Sequence, residues 1–514
     1  MLAKIHSLGI IGIDAYPVEI EVDVAAGLPS ISIVGLPDSA IKESKVRVRS
    51  SIKNSGFLFP SDRITVNLAP ANIKKEGSAF DLAIALGILA ASEQIDRDVL
   101  TDAYFVGELS LNGELRGIKG ALAMALSARK KKIKRIFLPL LNANEAAYVR
   151  ETKVFGIKTL KELAEGLHDP ELLRAHGNRL AKISSPVPHP QSSDIDFCDV
   201  KGQTAAKRAL EIAASGKHNI LLIGPPGSGK TMLAKRLNTI LPDLTQDEAL
   251  ETTKIHSAMG LVESRTETGL ISKRPFRAPH HTISDAALVG GSSIPQPGEI
   301  SLAHNGVLFM DELPEFHRDA LEVLRQPLED GYIRVSRASR SLVFPARFML
   351  IAAMNPCPCG YYTDPHKTCR CSPNKIANYI GKISGPLLDR IDIHIDLPSI
   401  KYKELTDTSE AETSGAIRAR VEKAHALQRE RLKDDGIFYN VQMNPKQIRK
   451  HCLLEDQARE LLKKAMTELG LSARGYDKIL KVARTISDLA ESQVIRAEHI
   501  AEAIQYRSLD RRFV

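Results

Sequence analysis

The 514-residue sequence contains no run of about 18 apolar residues, the minimum for a bilayer-crossing helix, so no membrane span is expected. Nor is a secretory leader expected. The short apolar stretch near its start is broken by Asp14 and followed by alternating acidic residues, with no small-residue cleavage site, and a cytoplasmic location is expected. Cysteine is scarce at six residues, a count that by itself fits many roles, while the length excludes a small scaffold stapled by disulfides. Charge excess is small too: 70 Lys and Arg against 62 Asp and Glu leave +8. That excludes a histone-like polycation while leaving a polyanionic partner such as nucleic acid compatible with the surface.

What is present is enough chain for about three domains. Pro, Ser and Asp collect over Ile183–Asp196, where apolar periodicity stops, and this predicts a linker at residues 179–196. Before it, residues 1–178 mix strand runs such as PVEIEVDV and RITVNL with helical stretches such as SAFDLAIALGILAASEQ and no internal repeat, an α+β domain. After it, residues 197–400 alternate NILLIG, GVLFMDE, FMLIAAMN and IDIHIDL with amphipathic segments, the α/β pattern of a parallel sheet. Residues 401–514 are charged and helix-patterned, a helical lid.

Gly224-Pro225-Pro226-Gly227-Ser228-Gly229-Lys230-Thr231 fits the phosphate-loop spacing, with a strand before it and a helix after. Its glycines let backbone N–H groups surround phosphates, Lys230 adds a point charge and Thr231 a hydroxyl for Mg²⁺. These residues predict ATP as ligand. Downstream, the apolar strand Gly306–Met310 ends in Asp311, assigned to the Mg²⁺ shell, and Glu312, assigned to the attacking water. A third apolar strand ends in Asn355, placed to sense phosphate.

Cys357, Cys359, Cys369 and Cys371 form two C-x-C pairs nine residues apart. In extended chain, residues i and i+2 share a face, so four thiolates can converge on Zn²⁺ and leave no open position, a structural site. His366 is a reserve ligand, and Cys198 and Cys452 read as packing or surface residues. Between the acidic and Asn-ended strands, YIRVS and SLVFP flank Arg337-Ala-Ser-Arg340. That is a hairpin pattern with a basic tip.

The order phosphate loop, acidic strand, Asn-ended strand, together with RPFRAPHHTISDAALVGG, NPCPCG, SGPLLDRIDIHIDLP and LSARGYDKILKVARTISDL, resembles the Mg-chelatase-like AAA+ family. The first 178 residues, with GLPDSAIKESKVRVRSSIKNSGF and GELSLNGELRGIKG, are similar to the Lon-protease-like domain that one group of this family carries. The resemblance implies a hexameric, ATP-driven motor on single-stranded and branched DNA, a branch-migration helicase acting during natural transformation. It implies that Arg390 is a finger donated to a neighbouring subunit, that Arg474 in the lid reaches nucleotide, and that Arg334, Arg337 and Arg340 grip DNA in the ring channel. Two alternatives accompany it, a chelatase-type remodeller of a protein partner and an ATP-dependent protease. For proteolysis, Ala79 stands where a nucleophile belongs, beside Ser78, and Leu122 where its lysine belongs, with Lys119 three residues early. Two basic stretches, Lys42 to Lys53 and Arg129 to Arg135, read either as phosphate contacts or as solvated faces.

Overall fold

The computed structural model describes residues 1–149, 151–168, 195–262, 269–291, 295–337, 340–362, 364, 367–399, 411–469 and 471–507. Residues 179–194 of the expected linker, and the reserve ligand His366, lie outside them. The chain divides into two compact units. The first takes Met1–His189, Thr245–Ser272 and Ser293–Pro297; the second takes Pro190–Leu244, Lys273–Ser292 and Gly298–Val514.

In the first unit, β1 (Leu2–Ile11) and β2 (Asp14–Ala25) run antiparallel, with Leu2 opposite Asp23 and Ile11 opposite Asp14. Around them β3 (Ser30–Val34), β4 (Arg63–Ala69) and β5 (Ala103–Phe105) begin a seven-stranded mixed sheet. A small ribbon of β6 (Glu108–Leu109) and β7 (Leu115–Arg116) stands apart, and β8 (Arg135–Pro139) and β9 (Lys153–Ile157) complete the sheet in the order β3-β4-β2-β1-β5-β8-β9. The short apolar stretch at the N-terminus is therefore a strand at the heart of this sheet. Phe105, Phe137 and Phe155 stack across β5, β8 and β9 at 4.9 and 4.8 Å, an arrangement that adds to their apolar burial. Every residue of the helix Asp81–Ala91 is buried, as a helix apolar all round beyond its first residue requires.

That helix carries one carboxylate, Asp81, which meets Arg47 Nε at 2.8 Å. Burial pushes the Asp81 carboxyl up to about 6, against the pull of Arg47. Arg47 is thus spent on an internal pair, whereas Lys42, Arg49 and Lys53 of its helix are exposed. The helix Gln246–Met259, although it follows the phosphate-loop segment in sequence, belongs to this first unit. There Ser257 O accepts a hydrogen bond from Gly120 N at 2.8 Å, and Lys254 pairs with Asp14 at 2.5 Å.

The second unit is built on five parallel strands: β10 (Ile220–Ile223), β11 (Phe276–Arg277), β12 (Val307–Met310), β15 (Met349–Met354) and β16 (Ile393–Asp396). Between β12 and β15 the chain forms the antiparallel ribbon β13 (Tyr332–Arg337) and β14 (Arg340–Pro345), closed by the pair Arg337 and Arg340. The sheet order is β11-β12-β15-β10-β16. Its three central strands β10, β12 and β15 are unbroken apolar runs, buried throughout, because helices cover a parallel sheet on both faces. From residue 411 on, the described elements are helical, led by Ser414–Leu432, Asp456–Leu469, Ala473–Leu489 and Ala497–Gln505. Among the described residues no helix is long and apolar enough to cross a membrane.

One buried ion pair ties the helix Ala473–Leu489 to the start of β16. Lys478 Nζ lies 3.0 Å from Asp392, which also accepts from Asn219 N at 3.1 Å and faces His218 at 3.5 Å. Desolvation would raise the Asp392 carboxyl, yet Lys478 and His218 hold it far below the carboxylate range. Replacing Lys478 by Met leaves that charge buried and unpaired, which costs about 3–5 kcal/mol. The urea midpoint of Lys478→Met should fall accordingly and recover in the double variant with Asp392→Asn; an unchanged midpoint for the single variant refutes the lock.

Candidate nucleotide and metal sites

The phosphate loop leaves β10 at the point where strand order turns, with β15 on one side and β16 on the other, the place where parallel α/β sheets bind ligands. Backbone bonds seat it there: Gly224 N donates to Met354 O at 3.2 Å and Leu397 N to Ile223 O at 2.6 Å. Gly229, at φ 87°, supplies the left-handed turn into the helix Lys230–Ile240. Lys230 Nζ donates to Gly224 O, Pro225 O and Asn355 Oδ1 at 2.7, 3.0 and 3.1 Å. Burial draws its ammonium below the ordinary lysine range, opposed by Asp311 and Glu312. Thr231 Oγ1 donates to Asp311 Oδ2 at 2.7 Å.

This donor set suits a Mg-nucleotide. Two loop carbonyls and one amide oxygen are weak partners for an ammonium that phosphate oxygens would serve better, and a hydroxyl beside a carboxylate is a hard oxygen pair suited to Mg²⁺. Glu312 follows Asp311 with a left-handed backbone, φ 53°, and its N–H donates to Asp311 Oδ1 at 3.0 Å. A non-glycine residue there costs of order 1–3 kcal/mol and clusters at active sites. The sequence motifs assign no role to His281, yet its Nδ1 lies 3.5 Å from Glu312 Oε2. The signal available in the chain is the doublet His280-His281, whose rings lie 4.1 Å apart.

The family resemblance puts Arg390 and Arg474 with the nucleotide machinery, but neither joins Lys230, Thr231, Asp311 or Asn355. Both stand at Glu329, at 2.5 and 4.0 Å. Arg484, on the same helix as Arg474, is buried against Asp488 and the carbonyls of Ser492 and Gln493. On the ribbon, Arg334 is exposed and paired with Val343 across the strands, while Arg337 and Arg340 form the last pair before the tip.

The cysteines converge. Sγ atoms of Cys357, Cys359 and Cys369 lie 3.3 to 3.7 Å apart, and with Cys371 all four fall within 4.8 Å of one another. A tetrahedron with Zn–S bonds of ~2.3 Å has sulfur edges of about 3.8 Å. The cluster abuts the phosphate loop: at Gly360, φ 84°, a Cβ would stand 2.5 Å from Pro226 Cδ. Cys452 packs in the core and Cys198 is half-buried.

In the first unit, the Ser78 hydroxyl is hydrogen-bonded to the Glu108 carboxylate. Leu122 is fully buried and Lys75 Nζ donates to Gly35 O at 3.1 Å and to Pro70 O.

Three family models match in series: subunit ChlI of Mg-chelatase over residues 20–142, magnesium chelatase subunit ChlI over 196–405, and the ChlI C-terminal model over 411–507. The chain is 47% identical over 511 residues to competence protein ComM of Haemophilus influenzae, across 99% of this chain and 98% of that one. It belongs to the Mg-chelatase-like family of AAA+ ATPases. Within the family it is also 43% identical to the uncharacterized protein YifB of Salmonella typhimurium, with the same coverage. The magnesium-chelatase 67 kDa subunit of Chlorobaculum parvum is 29% identical over 164 residues, 32% of this chain and 23% of that subunit.

Metal analysis of the purified protein should give about one Zn²⁺ per chain, and none once Cys357 and Cys371 are both serine. A folded, active, metal-free preparation would leave the cluster without this role.

Proposed function

We propose that the chain is an ATP-driven, hexameric DNA motor that promotes branch migration in DNA recombination during natural transformation. The observation that carries this reading is its end-to-end similarity to a competence protein, at 47% identity, joined to a phosphate loop, acidic strand and basic ribbon in one unit.

In this reading Lys230 leaves its loop carbonyls for the phosphates, whose remaining oxygens take N–H groups of Gly224 to Gly229. Thr231 and Asp311 hold Mg²⁺, which supplies charge neutralisation between the phosphates. Glu312 orients and deprotonates the attacking water, and Asn355, already hydrogen-bonded to Lys230, positions it. Arg390 serves the nucleotide of the neighbouring subunit, where a finger is worth about 10³ to 10⁵ in rate, and Arg474 in the lid reaches nucleotide. Arg334, Arg337 and Arg340 follow DNA phosphates as subunits cycle, and the four thiolates hold a structural Zn²⁺ behind the phosphate loop.

The chelatase alternative is supported by the family models but draws on a relative that covers just 32% of this chain. The proteolytic one has against it Ala79 at the nucleophile position and a Ser78 bonded to an acid rather than to a lysine.

Glu312→Gln should bind Mg-ATP as tightly as wild type in direct binding and hardly hydrolyse it, trapping the assembled ring. Loss of affinity would mean that the carboxylate serves binding instead. Measured with single-stranded, duplex and branched DNA across a salt series, ATP hydrolysis should rise with DNA and the rise should weaken steeply with salt. Changing Arg337 and Arg340 to Ala should leave basal hydrolysis intact and flatten the slope of log affinity on log salt by roughly one unit for each DNA phosphate that is no longer neutralised. Hydrolysis indifferent to every DNA would favour the protein-remodelling alternative.

A further inference from the structure

Arg390 and Arg474 come from different elements, one following the turn Gly385–Leu388 and the other opening the lid helix Ala473–Leu489. They nevertheless meet at one atom. Arg390 Nη2 lies 2.5 Å and Arg474 Nη2 4.0 Å from Glu329 Oε1, on the helix Arg325–Asp330. Two features give this meeting a fixed geometry. Arg390 Nη1 also donates to Pro386 O at 2.6 Å. Two residues beyond Arg390, Asp392 takes the buried pair from Lys478, which stands one helical turn beyond Arg474.

The guanidiniums are not used up. Arg390 is 11% exposed, and its Nε–H is buried without a partner, a cost no protein keeps without reason; the Arg474 side chain is 63% exposed. Two like charges held close repel each other. A carboxylate between them offsets that repulsion. An exposed pair of this kind would be worth little, but Arg390 is largely shielded and anchored by a backbone carbonyl.

We infer that Glu329 is a positioning residue: it holds Arg390 and Arg474 together as one anion-seeking pair, so that both meet the phosphates of the neighbouring subunit's nucleotide at once. Glu329 touches no nucleotide itself; it acts through the two arginines. The inference rests on the reading above that Arg390 works across a ring interface.

The test is steady-state ATP hydrolysis by Glu329→Gln in the full chain. The variant keeps its own phosphate loop, so KM should stay at the wild-type value and the melting temperature should hold, while kcat falls on the order of 10- to 100-fold, the cost of misplacing a catalytic group. Diluted into an excess of Lys230→Ala subunits, whose arginines and Glu329 are intact, each variant site should regain the rate of wild-type subunits diluted the same way. A wild-type or faster kcat in the undiluted variant overturns the inference, as does a loss that persists on dilution, which places the effect within the subunit. The same dilution of Arg390→Ala separates the two readings. If those subunits recover and Glu329→Gln does not, only the role of Glu329 falls; if Arg390→Ala fails to recover, action across the interface falls as well.

Discussion

The parallel pairing of β10 with β15 on one edge and β16 on the other is the constraint on which the rest of the second unit depends. Ile220 is level with both Ile351 and Ile393, and Ile223 with both Met354 and Asp396. Three chain segments distant in sequence therefore end at one edge of the sheet. The phosphate loop, Asn355 and the segment after β16 emerge side by side because strand ends in register leave them nowhere else to go. β12, paired with β15 from Val307 to Met310, brings Asp311 to the same edge, within hydrogen-bond reach of Thr231.

Two cations are already organised around oxygen, Lys230 at that edge and Arg390 ahead of β16, at the opposite end of the strands. Lys230 sits on two carbonyls and an amide oxygen, and Arg390 on a carboxylate and a carbonyl. For Lys230 these are partial charges, which keep a long side chain in place without matching the attraction of a phosphate, so its orientation is prepared beforehand. The cysteine cluster adds a rigid wall, since Gly360 packs on Pro226 of the phosphate loop while the same segment starts two residues after Asn355. Sulfur spacing near that of a metal-filled tetrahedron and close packing against the loop are one arrangement, not two.

The first unit carries a different economy. Its charges are largely internal or solvated: Arg47 is taken by Asp81, Ser78 by Glu108, and Lys75 by backbone carbonyls. The exposed lysines and arginines at Lys42, Arg49, Lys53 and Arg129 to Lys132 remain as a basic surface, while the buried helix Asp81–Ala91 fills the core beneath the sheet.

The sequence by itself determined the elements whose signal is local. A glycine-rich loop between an apolar strand and a helix, strands ending in Asp311-Glu312 and in Asn355, paired C-x-C segments and a ribbon ending in arginines were legible because backbone periodicity and side-chain chemistry sit on contiguous residues. Strand β1 was not, since Leu2–Ile11 has an irregular pattern whose burial comes from β2 and β5 on its two sides. Nor was the membership of Gln246–Met259 in the first unit, which is decided by what that helix packs on. Tertiary structure alone decided that Arg47 is spent on Asp81, that His281 faces Glu312, and that Arg390 and Arg474 share Glu329. Each of these is a meeting of charges from separate elements, and no spacing along a chain records it, because the distance between such groups is set by the sheet register and the helix packing that bring them together.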